Sequence, residues 1–292
     1  MTSVGDEQVT TRAMRDADLA FGMHLVELAG WNQTTADWRF FLTNRPKGCF
    51  VSEWEGVPAG TVTTTVYGDS LGWVSMVLVD PKRRRRGIGT ALVRHAVRSL
   101  SGVCTTIKLD ATPVGQEVYT ALGFEVEARF ERRVRATAPP PDRVKIRCEG
   151  TIRQATLKDL DAIVGLDRRA LGAERRTLME ALLRRAPERT FVLENESGLC
   201  GFCGARDGSR YTHIGPVVGD DAGARTLLLA ALSVQSPQPL VIDTVAERID
   251  WLTFLEDLGF ERERPLVRMR HGPRLRPEDP RSLCAAAGPE LG

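Results

Sequence analysis

The residues with the clearest chemical purpose lie at Val77-Leu-Val-Asp-Pro-Lys-Arg-Arg-Arg-Arg-Gly-Ile-Gly-Thr-Ala-Leu92. A strand runs into a basic turn, and a helix starts at two glycines spaced one apart. A helix N-terminus carries unpaired N–H groups and a partial positive charge, so it suits a phosphate or pyrophosphate. Glycines at 87 and 89 let the backbone approach those oxygens with no Cβ in the way. Taken alone the turn stays open to other readings: a solvated charge run, a nucleic-acid patch, or a dinucleotide-binding turn. The last would need G-x-G-x-x-G after the first strand, and position 92 is Leu. A second candidate is the C-x-x-C of Cys200 and Cys203. It has no further Cys/His pair at ligand spacing and sits in Gly-Leu-Cys-Gly-Phe-Cys-Gly, which reads as a strand, so no metal is expected.

The frame that positions these residues is two domains. The 292 residues fit two units at about 100–200 residues each, and 42% hydrophobic with 27% charged residues is ordinary for a globular protein. Lys+Arg 40 against Asp+Glu 38 leaves a net charge of +2, small for a protein that grips nucleic acid through many phosphates. No run approaches the roughly 18 apolar residues of a membrane span, and no leader pattern opens the chain, so a cytoplasmic location with reduced thiols is expected.

An internal repeat sets the organisation. Moving from Arg12 to Arg153 is a shift of 141, and it also places Asp18 on Asp159, Phe50 on Phe191, Glu53 on Glu194 and Gly60 on Gly201. Near the end of each copy Leu122-Gly-Phe124 answers Leu258-Gly-Phe260. A register held over about fifty residues is a tandem duplication. The first copy reads as strand 9–15, helices 16–28 and 34–42, strands 49–54, 59–67 and 71–79, helix 87–100, strand 105–111, helix 114–122 and strand 124–134. That is an α/β mixed sheet with helices on both faces. Prolines mark a linker at 137–148, which divides a first domain (1–136) from a second (149–272). The Pro-, Arg- and Ala-rich tail 273–292 lacks periodicity and is expected to be flexible.

Arg84-Arg-Arg-Gly-Ile-Gly89 resembles motif A of the GCN5-related N-acetyltransferases (GNAT), R/Q-x-x-G-x-G/A after a strand. Val79-Asp-Pro81 and Tyr119-x-x-x-Gly123-Phe124 are also similar to that family, and the element order is its order. The resemblance implies two tandem GNAT (acyl-CoA N-acyltransferase) domains. It implies acetyl-CoA as acyl donor, its pyrophosphate on the backbone of Arg84, Arg85, Arg86, Gly87, Ile88, Gly89 and Thr90. It further implies that Val77 and Val79 pair with the pantetheine arm between a fourth and fifth strand that splay apart, and that Tyr119 meets the leaving sulfur. For Tyr119 a core tyrosine is the competing reading.

Attack of a neutral amine on a thioester needs a base, an oxyanion donor and an acid for the thiolate. A strand amide near Met76–Val77 suits the oxyanion. The fourth strand carries no carboxylate, a departure from many family members. Asp110 is then the titratable alternative for the base, against a strand-end cap. Glu53, His24 and a water chain off Ser75 rank behind it. Acceptor recognition falls to Gly30-Trp-Asn-Gln-Thr34, with Trp31, Trp73 and Ser75 as pocket candidates, and Trp38 and Trp54 nearby. Each tryptophan has a core role as its alternative.

The second copy has lost the motif. Val218-Gly-Asp-Asp-Ala-Gly-Ala-Arg225 puts Asp220 and Asp221 in the turn, and Leu255 stands four residues before Gly259. Two carboxylates there would repel a pyrophosphate and cap the helix themselves. Gly259-Phe-x(4)-Arg264-Pro-x-x-Arg268-Met269 resembles the C-terminal GNAT-like domain of two-domain bacterial proteins. The expected activity is acetyl transfer from acetyl-CoA to an amine, most simply of a small molecule, with a protein acceptor open. The alternative is a silent acetyl-CoA-binding regulator or scaffold. Oligomeric state is not legible.

Overall fold

The computed structural model describes residues 9–136, 148–234, 238–275, 279 and 281–292. The expected linker thus lies outside the described residues but for Cys148. The elements of the first copy run β1 (Val9–Ala13), α1 (Leu19–Ala29), α2 (Thr35–Asn44), β2 (Cys49–Trp54), β3 (Val57–Tyr67), β4 (Leu71–Val79), α3 (Ile88–Leu100), β5 (Thr106–Ala111), α4 (Pro113–Ala121) and β6 (Glu125–Arg135). Those of the second run β7 (Thr151–Gln154), α5 (Leu160–Leu171), α6 (Arg176–Arg185), β8 (Phe191–Asn195), β9 (Gly198–Asp207), β10 (Thr212–Val218), α7 (Asp221–Ser233), β11 (Leu240–Val245), α8 (Ile249–Asp257), β12 (Glu261–His271) and β13 (Leu283–Ala285).

Two of the boundaries that differ from the sequence reading do so for local reasons. Asp16–Asp18 is a 3-10 turn rather than the start of α1, because Arg12 and the Arg15 N–H hold the Asp18 carboxylate. The turn after β2 is only Glu55-Gly56, since a register shift at Ser52/Glu53 admits Pro58, which has no N–H, into β3.

The chain forms two compact units whose limits cut across the two copies. The first holds the described part of Met1–Leu109 with Val114–Glu125 and Met269–Pro273; the second holds Asp110–Pro113, Val126–Arg268 and Arg274–Gly292. In the first unit β1-β2-β3-β4 pair antiparallel and β5 joins β4 in parallel. Thr61, Thr63, Thr64 and Thr65 of β3 are fully buried, as expected of a β-branched strand covered on both faces. Ile88, Leu92, Val93, Ala96 and Leu100 form the buried stripe of α3. Gly60 lets that helix lie close: a Cβ there would stand 2.7 Å from the Leu78 oxygen and 3.0 Å from Leu92.

In the second unit the order is β7-β8-β9-β10, with β11 parallel to β10 at Thr212–Ile214 and Leu240–Ile242. The neighbour of β11 is β6, which carries the closing residues of the first copy: Phe130–Arg135 pair antiparallel with Leu240–Val245. Arg132 makes a buried two-pronged ion pair with Asp243, at 2.8 and 2.8 Å. Burial opposes the Asp243 charge, and Arg132 overcomes it, holding the carboxyl below its ordinary range. Arg268 of β12 makes the same kind of pair with Asp110, at 2.8 and 2.7 Å, and lies 4.3 Å over the Phe130 ring.

The repeated residues turn out to build the fold. Arg12 binds Asp18 (2.8 and 2.8 Å) and Glu53 (2.7 Å); Arg153 binds Asp159 (2.9 and 2.8 Å) and Glu194 (3.1 Å). Each arginine ties its first strand to the following turn and to the next strand. Gly201 repeats the role of Gly60, with Leu227 and the Val218 oxygen both 2.9 Å from a notional Cβ.

The tail corrects an expectation. Leu283–Ala285 is a strand, and Cys284, Ala285, Ala286 and Ala287 are fully buried. Its main-chain groups find partners on β10 and β11, which periodicity along the tail itself does not reveal.

Candidate functional site

β4 shapes the site. Its parallel ladder with β5 covers Leu71–Trp73 against Thr106–Lys108 and ends there. Beyond Trp73, β4 is paired to β3 alone among the described residues. On that side Thr61 faces Leu78 and Thr63 faces Ser75, so Met76 and Val77 oppose the single residue Val62, a β-bulge. Met76 takes a φ of 51°, in the left-handed region, and its carbonyl accepts from the Thr61 hydroxyl at 2.9 Å. The bulge re-aims the last residues of β4 and leaves Val77 and Val79 half-buried while Leu78 is buried.

The chain then passes Asp80, whose carboxylate accepts from the Lys82 N–H at 2.9 Å, and enters the glycine turn. Arg85 has a φ of 61° and Gly87 a φ of 77°, so two left-handed residues swing the chain into α3. No side chain caps this helix. Its first i→i−4 bond is Ala91 N–H to the Gly87 oxygen, so the N–H groups of Ile88, Gly89 and Thr90 precede the ladder. A Cβ on Gly89 would meet only Val79, at 3.6 Å. Arg84, Arg85, Arg86 and Gly87 are exposed, Gly89 and Thr90 half-buried and Ile88 buried. The Arg86 guanidinium lies 4.8 Å over Trp54, a contact that sequence spacing did not signal. This donor set fits a pyrophosphate: free N–H groups at a helix start, flanking cations, and no acceptor side chain in the turn.

Tyr119 lies in α4, half-buried, its ring 6.0 Å from Phe124 in an edge contact. Burial pushes its phenol up to about 12, so it remains a proton donor throughout the neutral range. Asp110, read from sequence as a base, is instead engaged through both oxygens by Arg268, with the two side chains 2% and 0% exposed. That placement is structural. Glu53 is held by Arg12, and His24 is exposed on α1.

The acceptor candidates separate. Trp73 is fully enclosed, 6.5 Å from the Tyr67 ring, and Ser75 is buried with its hydroxyl 2.8 Å from that of Thr63. Neither presents an open wall, and Trp38 is likewise core. Trp31 alone of the set stays half-exposed, just past the left-handed Gly30 that ends α1.

The matching turn of the second copy is closed. Asp220 caps α7, its carboxylate accepting from the Gly223 N–H at 2.7 Å, and Asp221 pairs with Arg248. Leu255 is fully buried in an apolar cluster with Trp251, Phe254 and Phe260. Among the described residues no group of three or more His, Cys, Asp or Glu is arranged to hold a metal, and no helix is long and apolar enough to cross a membrane.

Comparisons with known proteins give the family and the fold. The GNAT acetyltransferase family model matches residues 15–124, and a further GNAT acetyltransferase domain model matches residues 163–283. Holothin acyltransferase of Pseudoalteromonas is 23% identical over 264 residues, spanning 90% of this chain and 87% of that protein. A putative acetyltransferase of Pyrococcus horikoshii has the same fold, with a TM-score of 0.79 and 21% identity over 97% of this chain and 96% of its own. A tandem GNAT protein from the clavulanic acid biosynthesis pathway matches with a TM-score of 0.64 and 16% identity, over 91% of this chain and 100% of its own.

Proposed function

This chain belongs to the GNAT family as a tandem acyltransferase, and from that premise we propose that its first copy transfers an acetyl group from acetyl-CoA to a primary amine by direct attack on the thioester. The observation that carries the reading is the uncapped, left-handed Gly87 turn beside the bulged end of β4, whose β5 side has no partner past Trp73 among the described residues. Acetyl-CoA, when bound, supplies the activated acyl group. The amides of Ile88, Gly89 and Thr90, with Arg84–Arg86 around them, hold the pyrophosphate; Val77 and Val79 hold the arm by their main chain. A main-chain N–H at the Met76–Val77 bulge polarises the carbonyl, a role that oriented backbone donors fill without reorganisation. Tyr119, kept protonated by burial, donates to the leaving sulfur. With Asp110 tied to Arg268, deprotonation of the incoming ammonium falls to water relayed by main-chain carbonyls of β4.

The acceptor is an amine of a small molecule, recognised beside Trp31. A relative matched over 90% of this chain is named holothin acyltransferase, which supports an acceptor named as a compound over a protein N-terminus. The test is thiol release from acetyl-CoA against grouped amines, with acetyl-CoA binding measured in parallel. Release with at least one small amine class is expected. Tight binding without release over the whole panel would make the protein a silent acetyl-CoA-binding scaffold.

A further inference from the structure

In the second unit β10 and β11 part after Ile214 and Ile242, as β4 and β5 part in the first. The place between them is taken by the chain itself. Ala285 is registered against Val217 on one side and Thr244 on the other, and Leu283 against Val218. The Gly219 N–H donates to the Ser282 oxygen (2.9 Å), the Thr244 hydroxyl to the Cys284 oxygen (2.6 Å), and the Ala286 N–H to the Asp243 oxygen (2.8 Å). Val218 is registered against Phe202 as Leu78 is against Thr61, so Val217 and Val218 stand where Val77 and Leu78 stand in the first copy.

Three features mark this as an occupied site rather than one more core strand. The first is composition. Cys284-Ala-Ala-Ala-Gly-Pro289 holds no β-branched or aromatic residue and has little strand preference of its own, so the cleft imposes the extended form. The second is close approach: a Cβ on Gly215 would lie 2.0 Å from the Ala286 oxygen, so the cleft wall is cut to fit a passing main chain. The third is a charged anchor. Glu290 pairs with Arg206, the two side chains 3% and 1% exposed, and Arg206 also donates to the Ala287 oxygen at 3.2 Å. Fully buried Arg175, oriented by Asp167 at 2.9 and 2.6 Å, donates to the Leu291 oxygen at 3.0 Å.

We propose that the cleft between β10 and β11 is a peptide-binding site for a slim extended segment followed by an acidic side chain, with Ser282–Leu291 of this chain as its resident ligand. Recognition is by strand addition on both walls, with Arg206 reading the carboxylate. The proposal does not rest on acetyl transfer by the first copy.

The test is a chain ended at Asp279, titrated with a labelled synthetic peptide of residues 280–292 and followed by fluorescence anisotropy, with folding checked by circular dichroism. Saturable binding of one peptide per chain is expected, weakened about tenfold or more when the peptide carries Glu290→Lys. A folded truncated chain that ignores the peptide, or takes up a second acetyl-CoA in its place, overturns the proposal. Should the shortened chain fail to fold, hydrogen exchange on the intact protein decides. Ala285 and Ala286 are expected to exchange through an opening that leaves Phe202 and Val241 protected. Exchange of all four together, through global unfolding only, overturns it.

Discussion

Two helix starts of common descent, at α3 and α7, solve the same physical problem in opposite ways. Both follow a bulged or shifted strand, and both leave first-turn N–H groups without helical acceptors. At α3 the turn is Gly87-Ile-Gly89 with no capping side chain, and the residues before it are exposed arginines. At α7 Asp220 takes the Gly223 N–H and Asp221 takes Arg248, so the chain supplies its own anion. The strand clefts beneath differ likewise: the second holds Leu283–Ala285, while the first has no strand there among the described residues. On the proposed function, the contrast is that of a duplicated binding site silenced by internalising its ligand. A carboxylate then stands in for the proposed phosphate, and a strand for the proposed arm.

The strongest way to break that comparison is to give α3 the acid of α7. Gly89→Asp is expected to abolish acetyl-CoA binding by isothermal titration with little change in Tm, since its Cβ meets only Val79 at 3.6 Å. Unchanged affinity in the folded variant would remove the pyrophosphate assignment. Tyr119→Phe, which brings the first copy towards the Leu255 of the second, should keep affinity and lower turnover about 10²–10⁴-fold. Because burial holds the phenol near 12, the wild-type rate profile should show no tyrosine ionisation below about pH 10. Full activity in the Phe variant would make Tyr119 structural.

Asp110→Asn separates base from strut. Leaving Arg268 buried without its carboxylate should lower stability by about 3–5 kcal/mol in denaturant melts. If the variant instead keeps its stability and loses only the rate limb at low pH, Asp110 is the base after all. A smaller effect tests what the copies share. Asp18→Asn and Asp159→Asn should each lower stability by about 1–2 kcal/mol at pH 7. Arg153 holds the Asp159 carboxyl at about 2, below the ~3.9 of an unfolded chain. Its contribution is therefore complete above that unfolded value and fades as pH falls through about 2, so the Asn and wild-type melting curves should converge in acid. A gap that persists at pH 2 would mean that packing, not charge, does the work. Least of all, Arg84→Ala should weaken acetyl-CoA only modestly, because its exposed side chain stands beside donors that belong to the backbone.

Much of this protein was legible in one dimension because it is local. The glycine turn, its acidic counterpart and the order of strands and helices each depend on neighbours within a few residues, through helix-end geometry, side-chain period and turn chemistry. The repeat was legible too, but not its reason: Arg12, Asp18 and Glu53 recur because together they clamp a strand, a turn and the next strand. Other placements were not legible because a partner comes from far along the chain. Asp110 read as a base or as a strand-end cap, and neither reading could show that Arg268, 158 residues away, takes both its oxygens. Trp73 read as pocket wall or core, and only its enclosure by the folded chain places it in the core. The tail looked structureless because Ala-Ala-Ala has no strand preference of its own, and its order comes wholly from hydrogen bonds offered by β10 and β11. Sequence by itself determined the family, the duplication and which helix start lacks an acid. Tertiary structure alone decided which charges are spent on each other and what fills each cleft, because burial and long-range pairing are properties of the folded surface that no short window of residues carries.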